Sequence, residues 1–158
     1  MTRRVSHRVF RRLKDSKGTS LVEAALITPL LLLLTFGICE FASLFYVYLA
    51  LENGVSQASR FGVTGNVTGT STREDSIRAA MRDATPTLTL DDSAFTFSHM
   101  PIGGTTWTAG GAGSTDELER VTVDYTWNIM TPLLWPFFTN GQIHFSVNST
   151  MKNESRFQ

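Results

Sequence analysis

Residues 17–62 read KGTSLVEAALITPLLLLLTFGICEFASLFYVYLALENGVSQASRFG, and this stretch decides the architecture of the chain. Between Gly18 and Arg60 it contains no Lys or Arg, and residues 24–38 are almost wholly apolar. An apolar run of this kind is typical of a helix that crosses a lipid bilayer. We therefore predict a long N-terminal helix over residues 19–62, with its transmembrane half at about residues 21–45.

The residues before this stretch are strongly basic. Seven of the fourteen Lys and Arg residues, but only one of the fourteen acids, lie in residues 1–18. Because basic residues beside a membrane helix stay on the cytoplasmic side, we predict a cytoplasmic N-terminus and an outward-facing domain at residues 63–158. Residues 19–158 carry seven basic and thirteen acidic residues, a net charge of −6, which disfavours nucleic acid as a partner.

Glu23 stands at the start of the apolar run, five residues after Gly18. An acid at the bilayer centre costs roughly 2.5 to 3.5 kcal/mol, so an acid at the mouth of a membrane helix requires a partner. One interpretation is a capping box, in which Ser20 and Glu23 satisfy backbone groups at the start of the helix. The other interpretation combines Gly18 with the basic run and gives Glu23 a role after cleavage of the chain.

The pattern Gly18-x-x-x-x-Glu23, with basic residues before it and an apolar helix after it, resembles the processing site of type IV prepilins. The residues from Val22-Glu23-Ala24-Ala25-Leu26 to Ala58-Ser59-Arg60 resemble TadE-like pseudopilins, the minor pilin-like proteins of tight-adherence (Flp-type) pilus systems. Flp major pilins have Tyr after the Glu, whereas this chain has Ala24, which favours a pseudopilin over a major pilin.

This resemblance implies that a prepilin peptidase cuts between Gly18 and Thr19 and removes residues 1–18 as a leader. Glu23 would then pair with the Thr19 amine, of its own or a neighbouring subunit, and set the register between helices. The implied partners are the prepilin peptidase, other pilins or pseudopilins, the inner-membrane assembly platform of the pilus, and membrane lipid. The implied location is the bacterial inner membrane, crossed once, with residues 63–158 in the periplasm, and incorporation into the assembled pilus is left open.

Glu40, Tyr46 and Tyr48 follow the apolar run. At 1.5 Å per residue, Glu40 lies about 25 Å along the helix from Glu23, close to the thickness of the hydrocarbon core. Aromatic side chains are enriched at membrane–water interfaces. We therefore predict that Glu40, Tyr46 and Tyr48 anchor the helix at the outer interface.

The second half of the helix has an apolar stripe, whose members are Phe41, Leu44, Phe45, Tyr48, Leu51, Val55 and Ala58. Their spacings of three and four predict one face that packs on the domain that follows. A capping box formed by Ser71 and Glu74 predicts a second, short helix.

Two strands are predicted from strict alternation of apolar and polar residues, at residues 121–129 and after Asn140-Gly141, and a weaker alternation occurs at residues 94–99. A polar face on each strand indicates an antiparallel sheet with one solvated side, and the helix covers the other side. The predicted class is α+β, a long N-terminal transmembrane helix packed on a small antiparallel sheet, as in pilins. The apolar segment 131–138 is predicted to be a buried connection, with an exposed apolar patch as the alternative.

The residue types that form catalytic, metal and phosphate sites are scattered along the chain. His7, His99 and His144 lack the spacing of metal ligands, and the Gly-rich loop at residues 110–113 lacks the Lys of a phosphate loop. Cys39 is the only cysteine, so the fold does not depend on a disulfide. We therefore predict no enzyme activity, no cofactor and no metal. The alternative to a pseudopilin is an unprocessed single-pass membrane protein with an extracytoplasmic binding domain, in which Gly18 has no role.

Overall fold

The computed structural model describes residues 16–65, 67 and 71–154. The elements are α1 (Ser16–Val63), α2 (Arg73–Ala84), β1 (Phe95–Pro101), β2 (Thr108–Ala109), β3 (Glu117–Asn128) and β4 (Gln142–Lys152), with 3₁₀ turns at Asp92–Ala94, Pro132–Phe137 and Thr139–Gly141. The predicted α+β class, a long N-terminal helix with a small antiparallel sheet, is confirmed. The basic residues of the predicted leader up to Lys14 lie outside the described residues.

Helix α1 continues through Pro29 without a break. Its described part, Ser16–Val63, already includes residues ahead of the predicted start at Thr19, so Ser20 and Glu23 lie inside the helix. The capping-box interpretation of these two residues is therefore wrong. Residues 18–39 are exposed or half-buried, whereas one face of the helix is buried from Glu40 onward. The two halves of α1 thus have different surroundings, as their composition predicts.

The four strands form an antiparallel sheet in the order β2-β1-β3-β4. Strand β3 is central, and its Val123 lies opposite Phe95 of β1 and Val147 of β4. The alternation predicted for β3 is confirmed, because Val121 and Val123 are buried while the intervening polar residues face outward. The short strand β2 lies within residues 103–114, a Gly-rich segment whose composition predicts a loop.

Both helices contribute to a core on one side of the sheet, formed mainly by Leu51, Val55, Ala58, Ile77, Met81, Val121, Val123 and Val147. Helix α2 approaches α1 closely at Gly54, where a Cβ would lie 2.6 Å from Thr85 Cγ2 and 2.8 Å from Met81 Sδ. Only glycine allows this approach without displacement of α2. Over β1, the Arg78 guanidinium lies 5.1 Å from the centre of the Phe97 ring.

The predicted stripe of α1 is confirmed only in its second part. Leu51, Val55 and Ala58 are buried, but Phe41 and Phe45 are exposed. The packed face passes instead through Glu40 and Val47, because that side of the helix contacts the sheet and the chain that follows β3. The cap of α2 is also one residue later than predicted, since Thr72 rather than Ser71 accepts a hydrogen bond from the Asp75 backbone N–H at 3.2 Å.

Candidate functional site

The predicted processing residues lie on the first turns of α1. Gly18, Thr19 and Glu23 are all exposed, and a Cβ built on Gly18 would have nothing within 4 Å. Substitution of Gly18 would therefore disturb no contact of the described chain. Cleavage after Gly18 and the pairing of Glu23 stay predictions.

The first half of α1 has the properties of a membrane-spanning helix. A segment of the helix within Gly18–Val63 has a mean hydropathy of 2.2 and is not covered by the rest of the chain. The hydroxyls of Thr28, Thr35 and Ser43 each donate to the carbonyl four residues earlier, at 2.7, 2.8 and 3.0 Å. Because lipid offers no hydrogen-bond partners, such internal bonds suit a helix in the hydrocarbon region. These features support a single-pass membrane protein.

Glu40 is the first buried residue of α1 counted from Gly18, with 6% of its surface exposed, and it lies where the helix meets the end of β3. Its Oε1 accepts hydrogen bonds from Trp127 Nε1 and the Met130 backbone N–H, both at 3.0 Å. Its Oε2 accepts from the Thr131 backbone N–H at 3.1 Å and from Thr131 Oγ1 at 3.0 Å. We call Glu40, Trp127, Met130 and Thr131 the Glu40 cluster. One carboxylate thereby connects the helix to the segment between β3 and β4.

That segment, residues 129–141, is called here the β3–β4 connection. Trp135 Nε1 donates to the Ile129 carbonyl at 2.8 Å, and the Ile129 N–H donates to the Gly141 carbonyl at 2.9 Å. Gly141 has a φ of 64°, and a Cβ there would lie 3.0 Å from Trp135 Cδ1. The connection is therefore closed on itself by its own backbone and the Trp135 ring.

The prediction that segment 131–138 is buried is wrong for most of its apolar residues. Leu134 is buried, but Leu133, Trp135 and Phe137 have exposed fractions of 49%, 51% and 69%, and the adjacent Met130 has 65%. The reason is geometric, because Leu134 is the member of this group that lines a groove along α1, whereas Leu133, Trp135 and Phe137 leave about half or more of their surface exposed. The structure instead agrees with the alternative prediction, in which this segment forms an exposed apolar patch.

The two predicted tyrosine anchors have different surroundings. Tyr46 is exposed, whereas the Tyr48 hydroxyl donates to Glu52 Oε1 at 3.0 Å and the Tyr48 ring lies 5.8 Å from that of Phe145. Tyr48 thus also helps to hold α1 against β4. Anchoring of the helix at the outer interface by Glu40, Tyr46 and Tyr48 stays a prediction.

A second polar cluster lies at the opposite end of β3, around the Arg73 guanidinium. Arg73 donates from Nε to the Gly62 carbonyl at 2.9 Å, from Nη1 to the Gly113 carbonyl at 2.9 Å, and from Nη2 to Glu119 Oε2 at 2.5 Å and Asn153 Oδ1 at 2.6 Å. Asn153 Nδ2 donates in turn to the carbonyls of Ala112 and Ser114, at 3.0 and 2.9 Å. We call Arg73, Glu119 and Asn153 the Arg73 cluster. It connects the end of α1, the start of α2, the Gly-rich loop, β3 and the chain after β4.

Glu119 is completely buried in this cluster. Burial raises the pKa of its carboxyl group to about 7, and the Arg73 guanidinium opposes this rise only in part. Glu119 Oε1 receives no hydrogen bond within the described part of the chain. The cluster thus contains a carboxyl group whose charge depends on pH in the neutral range.

The sequence predicted a role for Glu40 but not its hydrogen-bond partners. It did not predict the Arg73 cluster. One signal was present, because Glu119 is in phase with Val121 and Val123 on the buried face of β3. An acid at such a position requires a donor or a cation nearby. Nothing in the local pattern, however, identified Arg73 as that cation. Across residues 16–65, 67 and 71–154, no group of three or more His, Cys, Asp or Glu side chains could hold a metal ion.

The comparison with known protein families found a match that lies within α1. The family model described as TadE-like protein matches residues 18–60, so the match begins at Gly18 and ends near the end of the helix. This match confirms the predicted resemblance and connects the chain with tight-adherence pilus systems, in a family that is structural rather than catalytic. Neither a curated protein nor a solved structure matched the chain.

Proposed function

We propose that this chain is a TadE-like pseudopilin that takes part in assembly of a tight-adherence (Flp, type IVb) pilus. In this proposal α1 crosses the bacterial inner membrane, residues 1–18 are a cytoplasmic leader, and residues 63–158 form a periplasmic domain. The observation that carries the proposal is the family match over residues 18–60, which begins at the glycine where cleavage would occur. The role is structural, without catalysis or a cofactor.

Processing is the first step of the proposed route. A prepilin peptidase would cut between Gly18 and Thr19 and create a new amine at the start of an exposed helix. Glu23 is exposed on that helix one turn further on. A carboxylate among apolar side chains is costly in lipid unless it is paired, and the Thr19 amine supplies the opposite charge. Pairing with the amine of a neighbouring subunit would set the register between α1 and the other pilin helices.

The test of processing is the intact mass and N-terminal residue of the chain purified from its native membrane, with and without the prepilin peptidase. We expect a start at Thr19 that depends on the peptidase and is abolished by Gly18→Leu. The matched control is Gly37→Leu, since Gly37 lies on the same helix and its Cβ would also have nothing within 4 Å. The control should mature normally.

A start at Met1 in both membranes would refute the processing step. The same result would leave the alternative, an unprocessed single-pass membrane protein with an extracytoplasmic binding domain. Normal maturation of the Gly18→Leu variant would refute Gly18 as the processing residue. Because a Cβ at Gly18 would meet nothing within 4 Å in the described part of the chain, its substitution should not alter the stability of the domain, which circular dichroism would check.

The role of Glu23 is tested separately with Glu23→Gln. We expect normal amounts of the chain in the membrane but at least about tenfold less cross-linking to other pilin helices, since tenfold corresponds to 1.4 kcal/mol, an ion pair of moderate strength. The control is Glu52→Gln on the same helix, where the carboxylate already accepts a hydrogen bond from Tyr48. Unchanged cross-linking and piliation in the Glu23→Gln strain would contradict the pairing.

A further inference from the structure

We propose that the β3–β4 connection inserts into the outer leaflet of the membrane beside α1, so that the protein contacts lipid through two separate segments. The inserted side chains would be the exposed apolar residues Met130, Leu133, Trp135 and Phe137. This inference requires that α1 crosses the membrane, but it does not depend on pilus assembly or on processing.

The position of the connection along α1 is the first argument. Leu134 shares an apolar groove with residues of the helix that include Leu34, Ile38 and Phe41. A hydrocarbon core of about 30 Å requires about 20 helical residues, and counted from Leu21 these end near Glu40. Of these helix residues, Leu34 and Ile38 therefore lie within the last two turns of the span, and Phe41 directly follows its end. A segment that packs against them is at the depth of the outer leaflet.

The composition of the connection is the second argument. Residues 129–141 contain no Lys, Arg, Asp or Glu, and their exposed members include the large apolar side chains of Met130, Leu133, Trp135 and Phe137. Trp135 belongs to a residue type enriched at membrane–water interfaces. Trp, Phe and Leu are also the residues that membrane-surface helices bury at the boundary of the acyl chains. Exposed apolar groups of this size form a contact surface rather than ordinary solvated surface. Because the patch continues onto the exposed apolar side of α1 at Phe41 and Phe45, lipid that surrounds the helix would also surround the patch.

The backbone of the connection is the third argument. Irregular backbone is tolerated at membrane depth only where its polar groups are satisfied within the protein. The N–H groups of Met130 and Thr131 donate to Glu40, at 3.0 and 3.1 Å. Pro132 and Pro136 have no N–H, and the N–H groups of Leu134 and Phe138 donate to carbonyls inside the connection. This gives the buried carboxylate of Glu40 a specific role, which is to let the connection enter an apolar environment.

The opposite end of the sheet supplies a matched control. Ile102 follows β1, which pairs with the first residues of β3, so it lies about 40 Å from the connection at 3.4 Å per strand residue. Its side chain is 57% exposed, similar to the residues of the patch. If every exposed apolar side chain of this protein contacted lipid, Ile102 would do so as well as the β3–β4 connection. Under the proposal, only the connection contacts lipid.

The experiment places an environment-sensitive fluorophore on the full chain in vesicles of phosphatidylcholine and phosphatidylglycerol. The native thiol is removed by Cys39→Ala, and the fluorophore is attached at Phe137→Cys or, in the control, at Ile102→Cys. We expect quenching by nitroxide-labelled lipid at position 137 and not at position 102. Iodide on both sides of the vesicle should quench position 137 at least about threefold less than position 102, as for a side chain held in the interfacial region.

Three outcomes decide the inference. Strong iodide quenching and no lipid quenching at position 137 would overturn it. Protection from iodide without lipid quenching would also overturn it, because the patch would then be covered by protein, such as a second copy. In a third variant, Glu40→Gln should increase iodide quenching at position 137 and leave position 102 unchanged; equal values with and without the substitution would remove Glu40 from the proposal.

Discussion

Glu40 and Glu119 are both buried, with exposed fractions of 6% and 0%, but the chain holds them in opposite ways. Glu40 accepts four hydrogen bonds, all from uncharged donors, and two of them come from consecutive backbone N–H groups. Glu119 is paired with the Arg73 guanidinium, and its second oxygen receives no hydrogen bond within the described residues. One carboxylate is held by a loop conformation, the other by an opposite charge.

The difference corresponds to the place of each cluster in the fold. The Glu40 cluster lies at the end of β3 that is closest to the apolar half of α1. There Trp127, near the end of the strand, and Met130, just after it, donate hydrogen bonds to Glu40. The Arg73 cluster lies at the other end, where α1 terminates and Arg73 reaches the Gly62 carbonyl. Since each cluster connects α1 to the sheet, the domain is attached to the helix at both ends of β3. We infer that loss of either cluster loosens one end and leaves the other in place.

The largest effect is expected for Arg73→Met. The substitution removes four hydrogen bonds and leaves Glu119 and Asn153 buried without their common donor. Removal of one partner of a buried ion pair costs about 3 to 5 kcal/mol of unfolding free energy. Urea unfolding of the detergent-solubilised chain, followed by far-ultraviolet circular dichroism, would measure it. A loss below about 1 kcal/mol, the range of exposed ion pairs, would contradict the structural role of this cluster.

Glu40→Ala should have the second-largest effect, confined to the other end of β3. The substitution leaves the Trp127 indole N–H and the backbone N–H groups of Met130 and Thr131 without their acceptor. An unsatisfied buried donor costs about 1 to 3 kcal/mol. Hydrogen exchange read at the amides of Met130 and Thr131 should accelerate strongly, while the amides of β3 near Glu119 keep their protection. Uniform acceleration along β3 would show that the two ends are not independent.

A smaller, pH-dependent effect is expected from Glu119. Its pKa in the folded chain, about 7, is above the ordinary value of 4.5, so between these values the folded state binds more protons than the unfolded state. This contribution to stability is complete below pH 4.5 and is lost as the pH rises through 7. The slope from one group is at most about 1.4 kcal/mol per pH unit. The difference in unfolding free energy between the wild-type chain and Glu119→Gln, measured from pH 5 to 8, should follow this curve.

Titration of other groups should cancel in that difference, because the substitution changes only position 119. A difference that is constant with pH would show that the Arg73 charge keeps Glu119 ionised throughout the range. The difference from Glu40 would then lie only in the kind of donor that holds each carboxylate.

The smallest effect is expected for Lys152→Met, which removes an exposed ion pair with Asp116 at 2.9 Å. Lys152 lies next to Asn153, so it is close to the Arg73 cluster in sequence but not part of it. Exposed ion pairs contribute roughly 0 to 1 kcal/mol, and the unfolding free energy should change by no more than that. The same urea titration would check it. If Lys152→Met lowered the unfolding free energy as much as Arg73→Met, then any substitution near the Arg73 cluster would have this effect, and the buried contacts of Arg73 would not explain it.

Much of the fold could be predicted because it depends on local patterns. The apolar run and the positions of Gly18 and Glu23 predicted the long helix and its family resemblance, and the alternation at Val121 and Val123 predicted the packed face of β3. The errors also have local causes. Phe41 and Phe45 fit a stripe with the spacing of a packed face, and they are exposed because the sheet lies against a neighbouring face of the helix.

The candidate sites were predictable only in part, for a different reason. Glu40 could be selected as an unusual acid beside an apolar run, and the phase of Glu119 on β3 indicated a buried charge. Their partners are far away along the chain, with Thr131 91 residues after Glu40 and Glu119 46 residues after Arg73. No periodicity connects such residues, so which donor meets which carboxylate depends on how the strands and helices pack.

The amino-acid sequence by itself determined where the chain can enter a membrane, because the number of consecutive apolar residues sets the length of a helix that lipid can surround. It also determined which faces of β3 and β4 are apolar, since side chains alternate along a strand. Only the tertiary structure decided that Glu40 holds the β3–β4 connection beside the last turns of the span and that Arg73 meets Glu119 and Asn153. These contacts join residues that are distant along the chain, and such pairs become neighbours only when the sheet packs on α1.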